Sequence, residues 1–237
     1  MTMKKILAFD LDGTLTQHKT PLVAENRAVL EQLARRYRLL MLGAGVCERI
    51  YHQMGDFPIE IIGNYGLQHS VVENGRFRLV EEAVCPVDRA LAIRAVDKLR
   101  RQFGLDHFYG DSVEFHSSGS VTFPILGTAA PLAEKLAYDP DRHKRRMMYP
   151  AVCAEFAGCN VFIGGSSSFD ITQGEYNKFH ALRRFCEQNG YSLSEALYVG
   201  DDFGPGGNDS AVKLAGVDCI EIDDYRTFPS KVAFLLL

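Results

Sequence analysis

The chain has 237 residues, of which 46% are hydrophobic and 24% charged, with a formal net charge of -4. That is enough apolar material for a sizeable core in one large domain or two small ones, and the charge balance excludes a global attraction to nucleic acid or to an anionic membrane surface. No stretch offers ~18 uninterrupted apolar residues, so no bilayer span is expected; the run Ile6 to Phe9 is too short for a signal-peptide core, which points to a cytoplasmic protein.

Lys5-Ile6-Leu7-Ala8-Phe9 reads as a buried strand ending at Asp10. Thr20-Pro21 predicts a helix start, with a hydroxyl cap and a proline in the first turn, and puts Leu30, Leu33 and Tyr37 on one face. Arg38 to Leu42 is a second strand, stopped by Gly43-Ala44-Gly45; a short helix through Ile50 and a strand at Ile59 to Ile62 follow. Near-continuous apolar strands alternating with helices indicate a parallel sheet covered on both faces. Val71 to Phe77 reads as a hairpin turning at Asn74-Gly75.

Past Cys85-Pro86 comes a helix to about Phe103, then short strands at Val113 to Phe115 and Val121 to Phe123. A charged helical stretch runs from Asp139 to about Phe156, followed by strands at Val161 to Ile163 and Phe169 to Ile171. Hairpins with helices on one side predict a small α/β insert. The parallel pattern resumes with a helix from about Glu175 to Gln188 and strands at Leu197 to Val199 and Cys219 to Ile222. The six cysteines, Cys47, Cys85, Cys153, Cys159, Cys186 and Cys219, contain no CxxC pair and read as reduced thiols.

The strongest chemical signal is Asp10-Leu11-Asp12-Gly13-Thr14-Leu15, directly after the first strand. Ligands bind at the carboxyl ends of strands in open α/β sheets. Two carboxylates there supply a nucleophile for phosphorus and a group that handles the leaving group's proton. Thr14 adds a hydroxyl. The second signal is Gly200-Asp201-Asp202, again at a strand end, running into the glycine-rich turn Gly204-Pro205-Gly206-Gly207-Asn208-Asp209. Hard oxygen ligands from two strand ends are what Mg²⁺ requires.

These residues resemble the haloacid dehalogenase (HAD) superfamily of phosphatases and phosphomutases. Asp10, Asp12 and Thr14 match its first motif, Lys178 its lysine, and Asp201 and Asp209 its acidic motif. The insert resembles the superfamily's C2B-type cap. Pro205 to Asp209, together with Asp170-Ile171 and Asn177-Lys178, is similar to eukaryotic-type phosphomannomutases. The resemblance implies a doubly wound parallel-sheet α/β core over residues 1–82 and 174–237, with an α/β cap over 83–173. It implies Mg²⁺ held by Asp10, Asp201 and the backbone carbonyl of Asp12. Asp10 is then the nucleophile, Asp12 the acid and base, and Lys178 the group that neutralises charge. Asn208 and Asp209 orient groups around metal and phosphate.

Two departures from the pattern stand out. The second motif normally supplies a serine or threonine for the transferring phosphoryl group; here the strand ends in Gly43-Ala44-Gly45, leaving backbone N–H groups as the substitute. Phosphomannomutases hold a second phosphate with cap arginines. Here Pro124 to Thr128 lacks one, His116 stands where another is expected and Lys135 near a third. The basic run Arg142 to Arg146 reads as a solvated helix face. The expectation is a phosphatase acting on a small phosphorylated metabolite, a sugar phosphate among the candidates. A phosphomannomutase-like enzyme is the alternative, and a non-catalytic binding protein of the same fold the third reading.

Overall fold

The computed structural model describes residues 2–237. In chain order the elements are β1 (Ile6–Phe9), α1 (Ala24–Leu33), β2 (Arg38–Leu42), α2 (Cys47–Gln53), β3 (Glu60–Gly63), β4 (Gln68–Glu73) and β5 (Arg76–Glu82). Next come α3 (Arg89–Phe103), β6 (Glu114–Phe115), β7 (Val121–Pro124), α4 (Leu132–Tyr138), α5 (His143–Glu155), β8 (Cys159–Gly164) and β9 (Ser168–Gln173). Last are α6 (Lys178–Gln188), β10 (Ala196–Gly200), α7 (Ser210–Leu214), β11 (Asp218–Glu221) and α8 (Phe228–Val232). The chain divides into two compact units: Met1–Glu82, Asn177–Gly204 and Asp209–Leu237 in the first, Ala83–Tyr176 and Pro205–Asn208 in the second.

The first unit is built on a seven-stranded sheet of order β11-β10-β1-β2-β3-β4-β5. The strands from β11 to β3 are parallel; β4 and β5 add an antiparallel hairpin at the edge. Alternate side chains along the parallel strands feed two separate cores, as the two-residue period of a strand requires. Leu7, Phe9, Leu39 and Met41 pack with Leu30, Ile50 and Phe228 on one face. Ile6, Ala8, Leu40 and Leu42 pack with Leu182, Phe185 and Val212 on the other. The sheet is thus doubly wound, as expected. Phe9 meets Phe228 edge to face, with ring centroids 6.0 Å apart, a geometry worth ~1 kcal/mol beyond area burial.

In the second unit a four-stranded antiparallel sheet of order β6-β7-β9-β8 turns Val121, Phe123, Val161, Ile163, Phe169 and Ile171 into a core with α3 and α5. The alternating positions carry polar groups: His116 Nε2 lies 2.9 Å from Thr122 Oγ1, which donates to Asp170 Oδ1 at 3.0 Å.

Three details depart from expectation. Helix α1 begins at Ala24, capped by Val23 without a side-chain bond, because Thr20 is used in a turn with Gln17. Helix α4 was not expected; none of its residues is buried, so it has no apolar stripe to read. The stretch Pro205–Asn208, expected with the core, belongs to the second unit, where Gly206 O accepts a bond from Ile163 N at 2.8 Å.

Candidate active site

Strands β1 and β10 lie side by side, Ile6 opposite Ala196 through Phe9 opposite Val199. The strand order switches direction here, which opens a crevice at the carboxyl ends. Asp10 follows β1 and Asp201 follows β10, so one rim holds both carboxylates. After Asp10 the chain folds into a tight loop closed by Leu15 N to Leu11 O at 2.9 Å and Gly13 N to Thr16 O at 2.8 Å. Gly13 has φ +96°, and a Cβ there would lie 2.6 Å from Asp201 Oδ2. Only glycine both adopts this backbone and lets the first loop touch the second carboxylate.

Lys178 is the first residue of α6, whose cap Asn177 accepts a bond from His180 N at 2.9 Å. Its Nζ donates to Asp10 Oδ1 at 2.6 Å and Asp209 Oδ1 at 2.7 Å, and its side chain is only 1% exposed. Asp209 also accepts from Tyr198 OH at 2.5 Å and from the amides of Asp201 and Asp202 at 3.0 and 3.1 Å. Tyr198 was not anticipated: it sits inside an apolar strand run and reads as core. Its burial, reinforced by Asp209, raises the phenol well above its usual range, so it stays a proton donor.

Asp10, Asp201 and Asp209 each offer an oxygen, all within 4.8 Å of one another. Burial pushes the Asp10 carboxyl well above the usual carboxylate range; Lys178 opposes this, and Asp209 and Asp201 add to it. Burial works to lower Lys178, but the Asp10 and Asp209 carboxylates outweigh it and keep the ammonium charged. These three carboxylates, two of them bound to the lysine, form an all-oxygen donor set that fits a hard divalent cation. Asp209 is already engaged by four donors.

The Asp12 side of the rim is built differently. Its Oδ1 accepts from Gln53 Nε2 and from Lys19 N, both at 2.7 Å. Its Oδ2 lies 3.7 Å from Arg49 Nη1 and 4.0 Å from His18 Nδ1, with the Asp12 side chain 20% exposed. Arg49 and Gln53 are four residues apart on α2 and are hydrogen-bonded, Nη1 to Oε1 at 2.6 Å. Sequence reading missed both. Their spacing on the helix that follows the second strand was the available signal.

The remaining expected residues are placed as follows. Thr14 is fully buried, and its Oγ1 has no hydrogen-bond partner among the described residues. The amide of Gly43 is bound to Ile62 O at 3.0 Å, so the ladder between β2 and β3 removes it as an anion donor. The amides of Ala44 and Gly45 have no such partner among the described residues. Asn208 lies in the stretch that groups with the second unit. In the second unit, Arg145 of the basic run is buried and ion-paired to Asp139 at 2.9 Å, not on a solvated face. All six cysteines are free. Among the described residues no helix is long and apolar enough to cross a membrane.

No family model matches the chain. It is 26% identical over 217 residues to a phosphomannomutase of Encephalitozoon cuniculi, covering 87% of this chain and 83% of that protein. It is 25% identical to mouse phosphomannomutase 1, covering 85% and 80%. The fold matches a Bacteroides thetaiotaomicron phosphatase of the HAD superfamily with TM-score 0.62 at 16% identity, covering 99% of this chain and 96% of that one. It also matches the IMP-bound IMP-nucleotidase of Plasmodium falciparum with TM-score 0.70 at 12% identity, covering 99% and 68%.

Proposed function

We propose that this enzyme of the haloacid dehalogenase superfamily hydrolyses the phosphate monoester of a small metabolite through a phosphorylated Asp10. The observation that carries the reading is the buried Lys178 bridging Asp10 and Asp209 beside Asp201. A binding module has no use for a desolvated nucleophile, lysine and acidic cluster on one rim.

Asp10 attacks phosphorus with a carboxylate oxygen and displaces the alcohol, which takes a proton from Asp12. Water then attacks the aspartyl phosphate, Asp12 takes the water's proton, and inorganic phosphate leaves with Asp10 restored. Lys178 offsets the negative charge that gathers on this path. Asp209 fixes Lys178 and the amides of Asp201 and Asp202, and Gln53 holds Asp12. Asp10, Asp201 and the Asp12 carbonyl would hold Mg²⁺, which supplies Lewis-acid polarisation of a phosphoryl oxygen when bound. Free cysteines throughout support the expected reducing, cytoplasmic setting.

A second reading is transfer to another hydroxyl of the substrate, as in a mutase. The phosphomannomutase names of the relatives favour it. Against it, several cations of the second unit are tied within that unit. Arg100 donates to the carbonyls of Leu105, Pro124 and Ile125, Lys135 to Thr128 O, and Arg145 to Asp139 and Gly164 O. His116 is paired with Thr122. The deciding experiment incubates the enzyme with mannose 1-phosphate or glucose 1-phosphate, Mg²⁺ and the matching hexose bisphosphate, and follows both free phosphate and the 6-phosphate. The expected result is no 6-phosphate above background, with phosphate released from at least one ester in a wider metabolite screen. Conversion to the 6-phosphate with little free phosphate overturns the hydrolase reading.

A further inference from the structure

Gly45 belongs to the Gly43-Ala44-Gly45 strand end, where the resemblance leads one to expect a phosphate-binding hydroxyl, and the space above it is filled. A Cβ built on Gly45 would lie 1.9 Å from Arg49 Nη2, 2.6 Å from Cζ and 2.7 Å from Nε. The guanidinium therefore rests directly on this glycine and takes the volume a side chain at position 45 would use. Gln53 Oε1 accepts from Nη1 at 2.6 Å, and Asp12 Oδ2 lies 3.7 Å away. The same Gln53 donates to Asp12 Oδ1, so Arg49, Gln53 and Asp12 hold one another at the rim. The Arg49 side chain is 40% exposed, and its Nη2 edge carries no hydrogen bond to the described residues.

We infer that Arg49 is the phosphoryl-binding residue that replaces the missing hydroxyl, and that position 45 is glycine because the guanidinium needs its space. The inference rests on the phosphotransfer reading above. A guanidinium offers a planar fork of N–H donors and a permanent charge, which suits two oxygens of a phosphoryl group better than one hydroxyl does. Engagement by Gln53 orients that fork while leaving most of its donors available. Contact with Asp12 places the cation where charge develops on the transferring group. The amides of Ala44 and Gly45 lie beside it as further donors.

The arrangement is testable because the two residues exclude one another. The group that a serine at 45 meets is the flexible end of a side chain, so Gly45→Ser displaces Arg49 instead of disrupting the strand end. Wild type, Arg49→Ala, Arg49→Lys, Gly45→Ser and the double variant Gly45→Ser/Arg49→Ala are compared in two ways. One is phosphate release from p-nitrophenyl phosphate with Mg²⁺; the other is calorimetric affinity for orthovanadate. Loss of an oxyanion donor costs ~10²-fold, so Arg49→Ala should lose about that factor in kcat/KM and in vanadate affinity. Arg49→Lys should recover only part, since an ammonium lacks the fork. Gly45→Ser alone should be impaired. The double variant should be roughly tenfold more active than Arg49→Ala, because the hydroxyl then has room. Vanadate affinity and kcat/KM within twofold of wild type in Arg49→Ala, or a double variant at the product of the single losses, overturns the inference while hydrolysis by wild type preserves the functional reading. A wild type that hydrolyses no ester yet binds vanadate through Arg49 sinks the reading and keeps the subsite.

Discussion

The two halves of the rim are built on opposite plans. Around Asp10, Lys178 and Asp209 are buried, every contact is short, and the elements that meet come from opposite ends of the chain. Around Asp12, the side chains are part-exposed and the contacts come from α2 and the loop after β1. Buried charges of the first kind hold one geometry, because any unpaired member is costly in a low-dielectric interior. Part-exposed groups of the second kind can exchange protons with solvent and with a substrate. In the proposed mechanism the contrast separates a fixed nucleophile, Asp10, from an acid and base, Asp12, that must change charge in each cycle.

The sharpest way to break the contrast is Asp10→Asn. Turnover should fall by more than ~10⁴-fold, measured as phosphate release after rigorous purification. In EDTA the variant should melt slightly higher than wild type at neutral pH. The Asp10 carboxyl is raised in the folded state, so its contribution to stability is present at low pH and is lost as pH rises through the folded value. The melting gap should therefore widen with pH and close in acid. Mg²⁺ should raise the melting temperature of wild type and much less that of the variant. A variant less stable than wild type across the pH range in EDTA would show that Lys178 needs Asp10 more than Asp10 suffers from burial.

Next in size is Lys178→Met. It leaves Asp10 and Asp209 buried without their cation, a loss of ~3–5 kcal/mol in comparable buried pairs, with kcat down by ~10³-fold. Mg²⁺ should restore part of the stability and little of the rate. Equal melting temperatures for variant and wild type in EDTA would mean the buried side is not held by this lysine.

Smallest is Gln53→Leu on the open side. Losing the bonds that position Asp12 and orient Arg49 should lower kcat about tenfold and raise KM by a smaller factor, with a melting temperature close to wild type. A KM effect without a kcat effect would assign Gln53 to substrate binding instead.

Much of this contrast was legible in the sequence, but unevenly. Asp10-Leu11-Asp12-Gly13-Thr14 stands out because a continuous apolar strand ends in two carboxylates and a glycine. Lys178 was legible only through its resemblance to the superfamily's lysine at the start of a helix; the Asn177 cap that fixes that start is seen in the structure. The hairpin at Asn74-Gly75 was legible too, and both residues have positive φ. The open side was not. Arg49 and Gln53 are a polar pair on a seven-residue helix, which reads as an ordinary solvated face; only the three-dimensional approach to Gly45 and Asp12 gives them meaning. Tyr198 was hidden for the opposite reason: in an apolar strand its ring is unremarked, and its hydroxyl matters only once Asp209 lies beside it. Helix α4 escaped because it buries no side chain, and helix α1 was placed early because Thr20 caps a turn in place of a helix.

The central position of β10 beside β1 governs when the acidic cluster can assemble. Lys4 Nζ reaches Ser194 O, 190 positions away, and β1 cannot complete its ladder until β10 has been synthesised. At ~5–20 residues per second, the ribosome exposes Asp10 many seconds before it delivers Lys178, Tyr198, Asp201 and Asp209. During that interval Asp10 sits on an open sheet edge with no lysine and no second acidic strand. A chain stalled or cut before β10 therefore carries Asp10 and Asp12 but cannot form the bridged cluster. The strand order makes assembly of the cluster wait for the emergence of β10 and the loop that follows it.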